Sequence, residues 1–157
     1  MHLYRRYSRD GAPKTEEIIY SDKPRVTGPC ETLEDDKFIV GTSSISAHYL
    51  YFYTSNDELY RSIGIESLST VEALKRSPSG KILVHLNAMA LFLLNSNGDL
   101  LADVFDYTEG QSGHIDAQDV VFIDEETIYV TWDIYPNYPN TDVENIYGRF
   151  IKIKSLI

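Results

Sequence analysis

The chain has 157 residues, 43% of them hydrophobic and 24% charged, with a formal net charge of −10. That length and composition give one globular domain spanning 1–157, able to bury roughly 70% of its unfolded surface, and exclude a disordered tract. The charge argues against nucleic acid as a partner, no apolar run reaches the roughly 20 residues that cross a membrane as a helix, and the single Cys30 cannot form an internal disulfide.

The first segment, MHLYRRYSRDG, has no apolar stretch for a signal peptide, so a cytoplasmic location is expected. His2-Leu3-Tyr4-Arg5 echoes Glu58-Leu59-Tyr60-Arg61, and Glu17–Tyr20 is a further strand candidate. Asp22–Asp36, with Pro24, Gly28 and Pro29, reads as an irregular acidic connection. Phe38–Gly41 is a short apolar run. In His48–Thr54, Tyr49, Tyr51 and Tyr53 alternate with Leu50 and Phe52, the period of a strand. Leu59–Ile63 follows after an Asn56-Asp57 turn.

Ser67–Arg76 is the one predicted helix: Leu68, Val71 and Leu74 recur at spacing three, and Pro78 and Gly80 end it. Thr70 and Val71 leave a strand as the alternative. Ile82–Leu86 and Ala90–Asn95 are predicted strands, the second apolar on both faces as a central strand is. Asn97-Gly98-Asp99 turns the chain into Leu100–Phe105. Val120–Ile123, Thr127–Trp132 and Ile146–Ile153 complete the series. Between the last two, Asp133–Glu144 is a long loop whose Pro136 and Pro139 bar it from a sheet centre.

These runs form an internal repeat: KFIVGTS with HYLYFYTSNDELYRSI, KILVHLN with ALFLLNSNGDLLADVF, and DVVFIDE with TIYVTWD and NIYGRFIKI. Leu50 to Leu91 is 41 residues and Leu91 to Ile128 is 37. A period near 40 with several strands per unit resembles propeller-type meanders. The expected fold is mostly β: three to four repeated antiparallel β-meanders, propeller-like or a twisted sandwich, with at most one short helix. Trp132-Asp133 occurs once and names no repeat family.

Charge is unevenly distributed. Met1–Lys81 carries 11 Lys/Arg and 12 Asp/Glu, whereas Ile82–Gly148 carries no Lys or Arg and 12 Asp/Glu. A one-sign stretch raises encounter rates with an opposite-sign protein. The expected partner face is therefore Asp103, Asp106, Glu109, Asp116, Asp119, Asp124, Glu125, Glu126, Asp133, Asp142 and Glu144 (Asp99 is the twelfth acid). Tyr135 and Tyr138 are expected to serve as aromatic anchors in the Pro-stiffened loop.

Reactive chemistry is sparse. His2, His48, His85 and His114 show no metal-ligand spacing, and His85 reads as a packed strand histidine. Asn95–Asp99 follows a calcium loop only in outline. No nucleophile elbow or phosphate-cradling glycine loop is present, so no cofactor is expected. His114 with Asp116 and Asp119, in SGHIDAQD, is the best hydrolase constellation and ranks third among the readings.

Small size, acidity and the absence of catalytic motifs together resemble the immunity proteins that bacteria carry against nuclease toxins. That resemblance implies a cytoplasmic, non-enzymatic inhibitor occluding a basic partner's cationic site, and it carries over no residues. The alternative is a propeller-like scaffold or a carbohydrate-binding module using Trp132 and the Tyr loop. Oligomeric state is left open.

Overall fold

A computed structural model describes residues 2–4, 19–21, 28–41, 49–65, 70–87, 89–105, 107–108, 110–142 and 144–153. β1 (His2–Tyr4) and β2 (Ile19–Ser21) form an antiparallel pair. Three larger antiparallel sheets follow in chain order. The first contains β3 (Cys30–Thr32), β4 (Phe38–Gly41), β5 (Tyr49–Tyr53) and β6 (Leu59–Gly64). The second contains β7 (Val71–Arg76), β8 (Ile82–Leu86), β9 (Ala90–Leu94) and β10 (Leu100–Phe105). The third contains β11 (His114–Phe122), β12 (Thr127–Tyr135) and β13 (Asn145–Lys152). In each sheet neighbouring strands are consecutive in sequence, which makes it a meander.

The sheets stack through their first strands. β7 contacts β3 and β4 on one side and β11 on the other. This arrangement buries the second sheet on both faces. Ile82, Val84, Leu86 and Leu94 join Ile39, Leu50 and Phe52 of the first sheet. Leu83, Leu91 and Leu93 join Val120, Ile128, Val130 and Trp132 of the third. Two-sided burial is why β8 and β9 read as unbroken apolar runs.

The repeat is correct in kind and shifted in phase. β5 and β9 are the third strands of their sheets, whereas β12 is a second strand, so Thr127–Trp132 does not correspond to His48–Thr54 or Ala90–Asn95. The first strands were obscured for separate reasons. β3 is only three residues long and lies within the predicted irregular connection, apart from the pattern of the longer strands. β11 carries a bulge between Ala117 and Val120, which breaks its alternation and hides the segment from His114 onward.

β7 corrects the predicted helix. Val71–Arg76 is a strand pairing with β8, and residues 67–69 of the predicted span lie outside the described residues. A bulge between Val71 and Ala73 places Val71 and Leu74 on one face and Ala73 on the other. That spacing of three mimics helical periodicity, and burial between two sheets decides for the strand. The loop before β13 is also shorter than expected, because β12 runs on to Tyr135.

The 95–99 turn locks the first two sheets together. Gly98 has φ +87°, and a Cβ there would lie 2.8 Å from Phe52 Cζ and 3.0 Å from Ile63 Cδ1. Arg61 donates to the Asn97 carbonyl and pairs with Asp99 at 3.1 Å. Gly98→Ala combines an unfavourable left-handed backbone with overpacking. It is expected to lower stability by roughly 2–4 kcal/mol, read from the denaturant midpoint. An unchanged midpoint would show that the turn is not seated on Phe52.

Candidate functional site

The acidic stretch divides into carboxylates that hold the fold and carboxylates that cluster. Asp99 accepts from Asn95 Nδ2 at 3.0 Å and pairs with Arg61, and these contacts hold its carboxyl below the usual range. Asn95 Oδ1 accepts the backbone N–H groups of Asn97 and Asp99 at 2.9 Å each, so the calcium-like loop is closed by its own polar groups. Asp119 pairs with Lys75 at 3.1 Å and also accepts Val120 N–H at 2.8 Å.

Glu125 clamps the β11–β12 turn to the second sheet. It accepts from Ser79 N–H at 2.7 Å and Ser77 Oγ at 3.0 Å, and it lies 3.7 Å from Lys81 Nζ. The Ser79 hydroxyl also donates to Glu125, and that bond is the largest cause of its lowered carboxyl pKa. Asp124 accepts the Glu126 N–H at 2.8 Å and thereby caps its own turn.

Arg61, Lys75 and Lys81 all come from the N-terminal half. The expectation of twelve unneutralised carboxylates is therefore corrected: cations distant in sequence reach Asp99, Asp119 and Glu125 across the sheet stack. Asp103 and Glu126 are exposed away from the cluster below, Asp142 sits in the 140–142 turn, and Asp106 and Glu109 lie outside the described residues.

The remaining acids converge at one end of the third sheet. Strand register sets Asp116 of β11 directly opposite Asp133 of β12, and His114 opposite Tyr135. Residues facing each other across an antiparallel pair share a sheet face, so both carboxylates share one surface. Glu144, just before β13, accepts from the Tyr135 hydroxyl at 3.4 Å. Asp133 is only 6% exposed.

Burial is the largest cause of a raised Asp133 pKa, followed by a hydrogen bond to Glu144 and the charges of Glu144 and Asp116. Desolvation, then the charges of Glu144, Asp133 and Asp116, likewise push the Tyr135 hydroxyl up. Burial and two neighbouring carboxylates thus disfavour the charged form of Asp133.

Aromatic rings border this cluster. Tyr138 is 59% exposed and stacks on His114 with centroids 4.3 Å apart. Tyr135 lies 6.3 Å from the same imidazole, and His114 Nε2 is 3.2 Å from Asp116 Oδ1. The loop is folded on itself by Asn140 N–H to the Asn137 carbonyl at 2.8 Å and Asp142 N–H to Asn140 Oδ1 at 3.0 Å. Tyr138–Pro139 is a cis peptide.

The structure therefore brings together Asp116, Asp133, Tyr135, Tyr138 and Glu144 from the predicted partner face, and adds His114 from the predicted catalytic set. Asp119, the other half of that set, is committed to Lys75. Among the described residues no group of His, Cys, Asp or Glu is arranged to hold a metal.

Trp132 belongs to the core. It is 3% exposed, lies between Tyr107 and Tyr147, and donates from Nε1 to Gln111 Oε1 at 2.6 Å. It offers no open face to a sugar ring, which removes it from the carbohydrate site expected from the sequence. His85 is buried, as expected, and its Nε2 shares a 2.6 Å hydrogen bond with the Tyr107 hydroxyl.

No protein-family model matches this chain, and no curated protein matches it. Solved structures do resemble it. The WD40 domain of Pan2 from Neurospora crassa superposes with a TM-score of 0.66 at 12% identity, covering 99% of this chain. This chain spans only 45% of that domain's chain. A putative conserved lipoprotein from Clostridium novyi gives 0.56 at 10% identity, covering 85% of this chain and 91% of its own. A protein of unknown function from Bacteroides caccae gives 0.51 at 16% identity, covering 96% and 54%. At these identities the similarity is one of fold: repeated antiparallel meanders of WD40 or propeller type. Among the described residues no helix is long and apolar enough to cross a membrane.

Proposed function

We propose that the chain is a non-enzymatic, propeller-like binding scaffold whose third sheet receives a basic segment of a protein partner. The observation that carries this reading is the register-enforced pairing of Asp116 with Asp133, with Glu144 beside them and His114, Tyr135 and Tyr138 at the rim. Self-repelling carboxylates in a half-dry site are stabilised by an incoming Lys or Arg. Rings bordering such a site add cation–π contact, and a loop already folded on itself lowers the ordering cost.

Occlusion of a nuclease toxin asks for more, namely a broad unneutralised field. The pairs made by Arg61, Lys75 and Lys81 narrow that field to one cluster, which favours a scaffold over a toxin inhibitor. A sugar site would rest on Tyr135 and Tyr138 alone.

Titration with a hexalysine peptide tests the proposal. Binding is expected to shift the Tyr135, Tyr138 and His114 resonances and to weaken steeply with added salt. Replacing Asp116, Asp133 and Glu144 together by Asn, Asn and Gln is expected to lower affinity by about tenfold or more, the loss of at least 1.4 kcal/mol. Shifts spread evenly over the acidic surface, or unchanged affinity in the triple variant, would contradict it.

A further inference from the structure

The third sheet ends at β13, where the first and second sheets continue to a fourth strand. Among the described residues nothing pairs with the outer edge of β13. Its residues Asn145–Phe150 are all exposed. Ile146 at 73% and Phe150 at 66% are the most exposed large apolar side chains described. Natural sheets protect such an edge with proline, bulges or inward charges. β13 has no proline, and its ladder to β12 runs without a bulge through eight pairs.

Register with β12 fixes the faces of β13. Ile146, Gly148, Phe150 and Lys152 lie opposite Asp133, Thr131, Tyr129 and Thr127, whereas Tyr147 and Arg149 lie opposite Trp132 and Val130. Glu144 has the parity of the first set, and the Tyr135 hydroxyl donates to it. The Tyr129 ring lies over Gly148, leaves no space for a side chain there, and meets Phe150 at 4.7 Å.

We propose that β13 completes its sheet by antiparallel pairing with β13 of a second copy of this chain, centred on Gly148. The segment Glu144–Lys152 is self-complementary about that residue. Ile146 falls opposite the partner's Phe150, and Phe150 opposite the partner's Ile146, which extends the Tyr129–Phe150 contact into a continuous apolar row. Glu144 falls opposite the partner's Lys152, so each end of the ladder carries an opposite-charge pair. Tyr147 falls opposite the partner's Arg149, an aromatic–cation pair on the other face.

A shift of two residues either way sets Phe150 against Glu144 or Ile146 against Lys152 and loses the apolar match. A shift of one sets residues of opposite faces against each other. The occupant is a second copy because the pattern on this strand matches itself. The proposal does not rest on the basic-partner reading, and Glu144 is the residue common to both.

Sedimentation of the wild-type chain over a concentration series tests it, with no partner present. A reversible dimer is expected. Phe150→Glu, at an exposed position opposite Tyr129 and away from Asp133, is expected to raise the dimer Kd about tenfold or more while leaving circular dichroism unchanged. Register is tested in a Cys30→Ser background. Ile146→Cys with Phe150→Cys is expected to give a covalent dimer on oxidation, whereas either cysteine alone gives none. A wild-type chain that stays monomeric overturns the proposal, as it would if the strand's true partner were a different protein. So does a Phe150→Glu variant that dimerises as well as wild type, or equal cross-linking by the single cysteines. Each of these outcomes leaves hexalysine binding at Asp116 and Asp133 unaffected.

Discussion

Between pH 6.5 and about 4 the protein is expected to lose on the order of 3 kcal/mol of stability through one residue, His85. The ring is fully buried between the second and third sheets, and burial pushes its pKa down from 6.5 to about 4, against a smaller opposing effect from the charge of Asp119. The folded state therefore holds His85 neutral while the unfolded chain takes up a proton first. This contribution is complete above pH 6.5 and is lost as pH falls through about 4.

Carboxylates titrate over part of the same range, so the contribution is isolated by comparison. His85→Leu alone orphans the buried Tyr107 hydroxyl and costs about 1–3 kcal/mol at pH 7. His85→Leu with Tyr107→Phe removes both partners and is expected to be nearly neutral at pH 7. Urea unfolding from pH 7 to 4 is expected to show a shallower decline in the double variant, so that it overtakes wild type in acid. Parallel declines would mean that His85 is protonated in the fold.

Trp132→Ala is expected to cost about 3–5 kcal/mol, lowering Tm by roughly 10 °C or more. The indole fills the contact between the second and third sheets: it meets the Tyr107 ring at 5.3 Å and the Tyr147 ring at 5.9 Å. Its removal leaves a cavity and strips Gln111 of its donor. A sugar platform behaves in the opposite way, losing ligand-induced stabilisation with little change in intrinsic Tm. Differential scanning calorimetry with and without oligosaccharide separates the two.

Strands buried on one or two faces were legible because burial writes alternation or unbroken apolarity into them, as in β5, β8 and β9. First strands were not. β7 is bulged and spaces its apolar residues as a helix does, β3 is too short for any period, and β11 switches faces at its bulge. Misplacing these strands put the third unit one strand out of phase, although the period near 40 was sound.

At the candidate site, Tyr135, Tyr138 and the acids were named from composition and loop chemistry. Their grouping depended on the register of β11 against β12, which no local pattern states. The same register joined His114 to Asp116 on one face. Cation partners were invisible because Arg61, Lys75 and Lys81 reach their carboxylates over 38, 44 and 44 residues of chain.

Asp133 sits among other acids where burial and their charges oppose its ionisation, and an incoming cation relieves that cost to the fold. Asp133→Asn tests it with two readouts. The native carboxyl has a raised pKa, so its ionised form destabilises the fold above the ordinary carboxylate range and ceases to do so as pH falls. Asparagine keeps the shape and, unlike the ionised carboxylate, can donate toward Glu144. At pH 7 the variant is therefore expected to melt a few degrees higher than wild type and to bind hexalysine more weakly, with the thermal gain vanishing in acid. A variant that melts lower and binds the peptide undiminished would mean that Asp133 is a structural residue and that the basic partner docks elsewhere.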